Sequence, residues 1–180
     1  ARIREAVEII TEKRIGGIPI IDAVGVLSGI ITERDVMKVL STEHDDRPVE
    51  GVMSSSLRVT DPDATIGTAT KEMLAHKFRR LPVIKDDVLY GIITTTDVLK
   101  YLGNGQVFER LVTGDVAEVM SLPVRNLVSS ELHTIRPLET LSDAACAMMQ
   151  KNVGALPVIE DTRLVGIITE FDLVKAFAGV

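Results

Sequence analysis

Several residue types that build particular kinds of site are scarce in this 180-residue chain. It has one cysteine, no tryptophan and an aromatic content of 3%. A single cysteine excludes an internal disulfide and a cysteine-rich zinc site. The few aromatic rings and the net charge of −6 argue against a nucleic-acid binder, which normally presents a basic surface or a stacking platform. The cysteine, Cys146, has small and apolar neighbours, so we expect it to be buried.

Other absences narrow the function class. The sequence has no apolar run of eighteen residues, so we expect no membrane span, and no secretory leader is visible. The histidines, His44, His76 and His133, lack metal-ligand spacing, and we expect no metal site. The phosphate-binding loop, the dinucleotide fingerprint and the nucleophile elbow are also missing. We therefore expect a cytoplasmic protein that is not an enzyme, with a core built from its 46% apolar residues.

One phrase of seven residues occurs three times. It spans residues 29–35 (GIITERD), 91–97 (GIITTTD) and 166–172 (GIITEFD). Each copy is a short apolar run followed by a Thr and, three residues later, an Asp. Three copies in a chain of this length indicate an internal repeat.

The repeats align closely with one another. Repeat 3 follows repeat 2 at an offset of 75 without a gap, so that Asp172 corresponds to Asp97 and Pro157 to Pro82. Repeat 1 is one residue longer in its hairpin. Its start aligns with residues 64–66, so it lacks a counterpart of the strand predicted at residues 57–60, and we expect that the chain is truncated at its N-terminus.

Apolar periodicity predicts the order strand, helix, strand, strand, helix in each complete repeat. We place repeat 1 at residues 1–46, repeat 2 at 47–103 and repeat 3 at 123–180, with a linker at 104–122 that contains one helical piece around residues 108–120. The short spacing between repeats 1 and 2 predicts that these two pair. Repeat 3 would then have an apolar face without a partner. Either a fourth repeat is missing from the sequence or a second chain supplies the match, and we predict a homodimer through the third repeats.

A unit of this kind, with Leu-Pro-Val before a hairpin and Gly-Ile-Ile-Thr-x-x-Asp after it, resembles the CBS domain. The resemblance covers nearly the whole chain and extends to the stand-alone multi-CBS proteins of prokaryotes and the γ subunit of AMP-activated protein kinase. It implies an α+β fold with α/β-type repeats, in which tandem CBS domains pair about a pseudo-twofold axis as a Bateman module. It also implies clefts that bind adenine nucleotides, or in some members S-adenosylmethionine or NAD.

The recurring Thr and Asp suit a nucleotide on physical grounds as well. A Thr at a strand-to-helix junction lies beside the free N–H groups of the first helical turn, where the helix dipole favours a phosphate. An Asp one turn later can accept hydrogen bonds from two ribose hydroxyls. The alternative is a capping box, in which the same two residues only stabilise the start of the helix, by about 1 kcal/mol.

Differences among the repeats rank the sites. Repeat 2 carries Arg80 before its central strand, where the resemblance implies a basic residue that contacts phosphate and where a guanidinium can bind bidentately; it could instead be a surface charge. Arg34 could turn toward a phosphate in a neighbouring cleft. Repeat 3 has no such Arg, which favours an adenosine-type ligand or none. The predicted ligand-binding residues are Ile18, Pro19, Thr32, Arg34, Asp35, Val59, Thr60, Arg80, Leu81, Pro82, Thr94, Asp97, Leu156, Pro157, Thr169 and Asp172.

These observations predict a regulatory module that senses AMP, ADP or ATP, requires no other cofactor and acts on an enzyme or transporter. Two alternatives remain open at this point: a structural or oligomerisation module with empty clefts, and a regulatory domain for S-adenosylmethionine or NAD.

Overall fold

A computed structural model describes residues 2–42, 44–129 and 131–179. Helices and strands alternate in three repeats, which confirms the predicted α+β class. The chain folds into two compact units. The first unit comprises Ala1–Ser56, His133–Glu160 and Val165–Val180, and the second comprises Leu57–Leu132 and Asp161–Leu164.

The helices and the hairpin strands follow the predicted order with small shifts at their ends, whereas the first strand predicted for repeats 2 and 3 is present only as an isolated bridge. The described helices are α1 (Ile3–Lys13), α2 (Glu33–Leu40), α3 (Ile66–His76), α4 (Thr95–Leu102), α5 (Gly105–Val112), α6 (Val116–Met120), α7 (Leu141–Lys151) and α8 (Glu170–Ala178). The described strands are β1 (Gly17–Ile21), β2 (Leu27–Thr32), β3 (Arg80–Lys85), β4 (Val88–Thr94), β5 (Ala155–Glu160) and β6 (Arg163–Thr169). None of these helices is long and apolar enough to cross a membrane.

The first unit is built on the packing of four helices. Helices α1 and α2 of repeat 1 pack against α7 and α8 of repeat 3, and the core of the unit includes Ile10, Met37, Met148 and Val174. The expectation that the helical face of repeat 3 lacks a partner in this chain is therefore wrong, because repeat 1 covers it. The pairing of repeat 1 with repeat 2 stays a prediction.

The hairpin of repeat 1 differs from its counterparts at its outer edge. Strands β1 and β2 form a two-stranded sheet. In the other repeats an extended residue adds a parallel bridge to the first hairpin strand, Thr60 to Val83 in repeat 2 and Ile135 to Val158 in repeat 3. Val83 and Val158 are fully buried, whereas their counterpart Ile20 is 46% exposed. The predicted strand at residues 57–60 is thus reduced to a single bridge at Thr60, and repeat 1 has no equivalent in the described chain.

The first residues of repeats 2 and 3 pack away from the rest of their own repeat. Residues 48–54 lie in the first unit, where Pro48 bridges to Thr140 and Ser54 to Ile167 of repeat 3. Residues 123–128 lie in the second unit, where Pro123 bridges to Thr65 of repeat 2. The first residues of repeat 2 therefore pack on repeat 3, and those of repeat 3 pack on repeat 2.

The second unit contains repeat 2 and the linker. Strands β3 and β4 form an antiparallel hairpin whose loop residues Asp86 and Asp87 both have positive φ, as a two-residue type I′ turn requires. Helices α3 and α4 cover the hairpin around the core residues Ile66, Met73 and Ile93. The linker forms two short helices, α5 and α6, rather than one. At the start of β4, Val88 pairs with Arg163, which also belongs to this unit.

Cys146 is half-buried, not buried as expected. It lies on α7 in the first unit, and its Sγ donates a weak hydrogen bond to the carbonyl of Ser41 at 3.4 Å. The thiol therefore lies where the helices of repeats 1 and 3 meet.

Candidate functional site

The motif of repeat 2 occupies the junction between β4 and α4. Thr94 is the N-cap of α4, and the Oδ2 atom of Asp97 accepts hydrogen bonds from the Thr94 backbone N–H at 2.9 Å and from its hydroxyl at 2.6 Å. The capping box is thus formed. It uses one carboxylate oxygen, while Oδ1 of Asp97 has no hydrogen bond to the described residues. Capping and ligand binding are compatible because each can use a different oxygen.

The Thr94 hydroxyl is less available to a phosphate than the sequence predicts. A carboxylate accepts only, so the Thr94 hydroxyl proton points to Asp97, and the same oxygen accepts from the Asp97 N–H at 3.2 Å. A phosphate at neutral pH also needs donors. Thr94 can therefore contact a phosphate as donor only by giving up its bond to Asp97.

The backbone at the start of α4 keeps one donor for a ligand. The Thr95 N–H donates to the Arg79 carbonyl at 2.9 Å, and the Asp97 N–H donates to Thr94. Between them, the Thr96 N–H has no hydrogen bond to the described residues. One N–H at the positive end of the helix dipole therefore points outward, in the position that favours an anion.

Arg80 lies directly across the hairpin from Thr94. The two residues are register partners at the ends of β3 and β4, and cross-strand partners place their side chains on the same face about 5 Å apart. In repeat 1 the partner of Thr32 is Gly17, and in repeat 3 the aligned residue is Ala155. Among the repeats, only repeat 2 therefore has a cation opposite its motif Thr.

Residues 59 and 60 place main-chain groups beside the same hairpin. Thr60 donates its N–H to the Pro82 carbonyl, and its carbonyl accepts from the Ile84 N–H, both at 2.9 Å. In an extended chain, the N–H and C=O groups of successive residues lie on opposite sides. Because those of Thr60 face β3, the N–H and C=O of Val59 lie on the side away from β3. Val59 is 46% exposed, and these groups have no hydrogen bond to the described residues.

Two of the predicted binding residues belong to the core. The side chains of Leu81 and Leu156 are 1% and 0% exposed, so a ligand on the surface of this structure can reach these two residues only through the backbone. Pro82 and Pro157 are also buried. In repeat 1, Ile18 is half-buried and Pro19 is exposed, since no bridging residue covers that strand.

Repeat 3 reproduces the motif geometry of repeat 2. The Asp172 Oδ2 atom accepts from the Thr169 N–H at 2.8 Å and from the Thr169 hydroxyl at 2.6 Å, and its Oδ1 has no hydrogen bond to the described residues. Ile135 makes the same pair of strand bonds as Thr60, which leaves the main chain of Thr134 in the position of Val59. Thr134 aligns with Val59 in the sequence, so its position in the site could have been predicted from the alignment of the repeats.

In repeat 1, both oxygens of the motif carboxylate accept hydrogen bonds. Asp35 Oδ2 accepts from the Thr32 N–H and hydroxyl at 3.0 and 2.8 Å, and Oδ1 accepts from Lys38 at 3.2 Å. The hydrogen bond from the Thr32 side chain, followed by that from Lys38, lowers the pKa of Asp35 below its usual value. Both oxygens of this carboxylate are engaged within the chain.

The side chain of Arg34 is hydrogen-bonded to two residues of repeat 3 in the first unit. Its guanidinium donates to Glu170 Oε1 at 2.8 Å and to Asn152 Oδ1 at 2.7 Å. Glu170 is the first residue of α8 and lies next to the motif Thr169. The predicted role of Arg34 as a phosphate contact therefore requires the guanidinium to exchange at least one of these partners.

A fourth Thr-x-x-Asp box lies outside the repeated phrase, at the start of α7. Asp143 Oδ2 accepts from the Thr140 N–H at 3.0 Å and from its hydroxyl at 2.7 Å, which lowers the pKa of Asp143. The geometry is that of Thr94 and Asp97 without the preceding Gly-Ile-Ile strand. A capping box of this geometry therefore forms in this chain without the repeated phrase.

The motif glycines have a role that sequence reasoning missed. A Cβ on Gly91 would overlap the side chain of Val128, and one on Gly166 would overlap Met53, whereas one on Gly29 would meet nothing within 4 Å. Met53 and Val128 lie in the segments 48–54 and 123–128, each of which packs on the other repeat. In the sequence, the alignment of Pro48 with Pro123 could have identified these two segments as equivalent.

Comparison with known proteins agrees with these features. The CBS domain family matches residues 1–42, 49–104 and 124–179. The uncharacterized protein MJ1225 of Methanocaldococcus jannaschii is 36% identical over 180 residues, which cover 99% of this chain and 64% of that protein. The chain thus spans somewhat less than two thirds of this relative.

Solved structures show the same fold. The crystal structure of MJ1225, presented as a candidate archaeal homolog of g-AMPK, has a TM-score of 0.88 at 34% identity and covers 98% of this chain and 64% of that one. CBSX2 in complex with AMP has a TM-score of 0.61 at 24% identity, covering 73% and 96%. The CBS domain pair of MJ0100 in complex with 5′-methylthioadenosine and S-adenosyl-L-methionine has a TM-score of 0.59 at 23% identity, covering 74% and 97%.

Proposed function

This chain belongs to the CBS-domain family, and on that premise we propose that it is a non-catalytic regulatory module that binds an adenine nucleotide at repeat 2. The observation that carries the proposal is the convergence, on one hairpin and one helix start of the second unit, of four kinds of group. These are the outward main chain of Val59, the free Oδ1 of Asp97, the outward N–H of Thr96 and the cation of Arg80.

Each group matches one part of a nucleotide. An adjacent N–H and C=O, as on Val59, complements the acceptor and amino donor on the edge of adenine. A carboxylate oxygen accepts hydrogen bonds from ribose hydroxyls, which suits Asp97. The Thr96 N–H and the Arg80 guanidinium suit a phosphate. AMP, ADP and ATP share all three parts, and AMP is the ligand of the related fold in CBSX2.

Repeat 3 favours a different ligand. It retains Thr169, Asp172 and the free main chain of Thr134, but the position of Arg80 is taken by Ala155. We propose that this repeat accepts an adenosine-type ligand with little dependence on phosphate. S-adenosylmethionine belongs to this class and is bound by the MJ0100 CBS pair.

Regulation requires that the ligand bind two arrangements of the protein with different affinity. We propose that a bound nucleotide changes the affinity of the module for a partner, such as an enzyme or a transporter. The competing proposal is a structural module whose Thr and Asp residues only cap helices. That proposal is favoured by the Thr140 and Asp143 box, which has the same geometry without the repeated phrase.

Calorimetric titration with AMP, ATP and S-adenosylmethionine separates the two proposals. Asp97→Asn keeps a carbonyl oxygen for the cap but replaces a ribose acceptor by a donor. We expect it to weaken AMP binding by about 1–3 kcal/mol, or roughly 5- to 150-fold. Asp143→Asn is the matched control, since it changes an identical cap elsewhere, and we expect it to leave AMP affinity unchanged.

The structural proposal predicts a different pattern. It requires that none of the three compounds binds, and that AMP leaves the thermal unfolding curve unchanged. A ligand at 100 times its dissociation constant adds about 2.7 kcal/mol to the free energy of unfolding, which a melting curve detects easily. Equal AMP affinity in wild type and Asp97→Asn would show that Asp97 does not belong to the binding site.

A further inference from the structure

The linker begins with the only Asn-Gly pair in the sequence. The chain has three asparagines, and the residues that follow them are Gly105, Leu127 and Val153. An asparagine carboxamide is among the thermolabile groups of proteins, because the backbone nitrogen of the next residue can attack it and close a ring. A glycine in that next position favours the attack, since it has no side chain to hinder the approach and has the widest backbone freedom. The sequence therefore singles out Asn104.

The attacking nitrogen also distinguishes this pair from the other two asparagines in the structure. The Leu127 N–H donates to the Val124 carbonyl at 2.9 Å, and the Val153 N–H donates to the Met148 carbonyl at 3.0 Å. The Gly105 N–H has no hydrogen bond to the described residues. All three asparagines are exposed, so the hydrogen bonding of the next N–H, rather than access of solvent, separates the Asn-Gly pair from the others.

Asn104 is also the N-cap of α5, and this role slows the reaction. Its Oδ1 accepts a hydrogen bond from the Gln106 N–H at 3.2 Å, and its carbonyl accepts one from the Phe108 N–H at 2.8 Å. The bond to Gln106 must break before the carboxamide can turn toward the Gly105 nitrogen. Because no residue of α5 is buried, the first turn of this helix opens at low cost.

We propose that Asn104 is a site of spontaneous covalent modification in the folded chain, where it converts to aspartate and isoaspartate. The Gly105 nitrogen gives up its proton and attacks Cγ of Asn104. The Cγ–Nδ2 bond breaks, and the amide nitrogen takes up that proton and leaves as ammonia. Water then opens the resulting succinimide at either carbonyl. Opening at Cγ gives aspartate and opening at the main-chain carbonyl gives isoaspartate, with no oxidant or cofactor required.

The two products act differently on α5. Aspartate keeps an acceptor at the N-cap and adds a negative charge at the positive end of the helix dipole, which stabilises the start of the helix. Isoaspartate routes the main chain through Cβ and Cγ, so the oxygen that bound Gln106 becomes a main-chain carbonyl and the one that bound Phe108 becomes part of a side-chain carboxylate. The extra main-chain atom disrupts the cap. Isoaspartate therefore loosens the first turn of the linker that follows repeat 2.

Peptide mass spectrometry of the full chain after incubation in buffer tests the modification. Trypsin releases residues 101–110, and electron-transfer fragmentation distinguishes aspartate from isoaspartate. We expect product to accumulate at Asn104 and to form faster in mildly alkaline than in neutral buffer, because the attacking nitrogen must lose its proton. Asn126 and Asn152 in the same sample should stay intact. Equal conversion at the three asparagines, or an intact Asn104 after an incubation that converts a synthetic peptide of residues 101–110, overturns the proposal.

Gly105→Ala is the matched variant, because a Cβ at this position would meet nothing within 4 Å and the fold can therefore accept it. We expect this variant to show no detectable conversion at Asn104 over the same incubation, and unchanged conversion would overturn the proposal.

Hydrogen exchange measures the effect of each product on the cap. The amides of Gln106 and Phe108 should exchange faster in a sample enriched in isoaspartate than in wild type, whereas Asn104→Asp, which reproduces the other product, should keep the wild-type rates. Wild-type exchange in the isoaspartate sample would contradict the predicted loosening of α5.

Discussion

The three motif glycines predict a graded response to one substitution. Each of Gly29, Gly91 and Gly166 precedes the same Ile-Ile-Thr sequence, yet their surroundings differ. An alanine Cβ at Gly91 would overlap Val128 and lie 3.3 Å from its Cβ. At Gly166 it would overlap the sulfur of Met53 and lie 3.0 Å from its Cγ, and at Gly29 it would meet nothing within 4 Å.

The cost of each substitution follows from what must move. Val128 is β-branched and stiff at χ1, so the segment or the strand has to shift in Gly91→Ala, and overpacking of this kind costs about 1–3 kcal/mol. Met53 has three rotatable bonds and can adapt, so we expect Gly166→Ala to fall near about 1 kcal/mol. Gly29→Ala should be neutral or stabilising by about 0.4–1 kcal/mol, because it reduces the freedom of the unfolded chain.

Urea denaturation and calorimetry measure this series. For a chain of this size each kcal/mol changes the melting temperature by about 2–4 °C, so Gly91→Ala should lower it by roughly 2–12 °C. Combining Gly91→Ala with Val128→Ala should recover part of the loss, since the overlapping methyl groups are removed. Equal effects at all three glycines, or no recovery in the double variant, would refute the packing argument.

Two further predictions concern charged groups of the first unit. The lowered pKa of Asp143 means that its cap stabilises the folded state fully above the unfolded pKa, about 3.8, and loses that effect as pH falls through the folded pKa. The destabilisation by Asp143→Asn in urea at pH 7 should therefore shrink at pH values below about 3.8; a constant difference would contradict this. The Arg34–Glu170 ion pair, at 2.8 Å with side chains 30% and 17% exposed, should give a coupling of about 0.5–1 kcal/mol in a double-mutant cycle of alanine variants, and zero coupling would contradict it.

The fold was largely readable from the sequence because its signals are local and repeated. Three copies of one phrase identified the repeat, and the spacing of Pro82 and Asp97 against Pro157 and Asp172 set the elements with ends correct to a few residues. The linker was predicted as one helical piece, but Gly114 adopts a φ of +102° and divides it into α5 and α6. A left-handed glycine interrupts a helix in a way that apolar periodicity does not report.

Non-local packing was the part that the sequence did not reveal. Sequence order placed residues 48–54 with repeat 2, whereas their hydrogen bonds join them to repeat 3. The same limit applied to Arg34, whose partners Asn152 and Glu170 lie more than one hundred residues away. Spacing along the chain predicts which face a side chain shares, but it does not predict which distant element that face meets.

At the candidate site, the sequence predicted which residue types take part, and the structure shows which atoms of these residues form the helix cap. The choice between a cap and a ribose contact at Asp97 could not be made from the pattern Thr-x-x-Asp, because both roles need the same two residues. The structure gives Oδ2 to the cap and leaves Oδ1 without a partner among the described residues. Because the Thr94 hydroxyl is bonded to Asp97, we propose the Thr96 N–H in its place as the phosphate donor.

A crystal structure of the chain grown with saturating AMP tests the proposed site most directly. The proposal predicts that both ribose hydroxyls lie within hydrogen-bond distance of Asp97 Oδ1 while Oδ2 keeps its two bonds to Thr94, and that the adenine edge meets the main chain of Val59. Electron density for AMP at another place, with Asp97 Oδ1 facing solvent, would contradict the site. Absence of AMP density at every repeat, in a crystal whose packing leaves all three open, would contradict nucleotide binding itself.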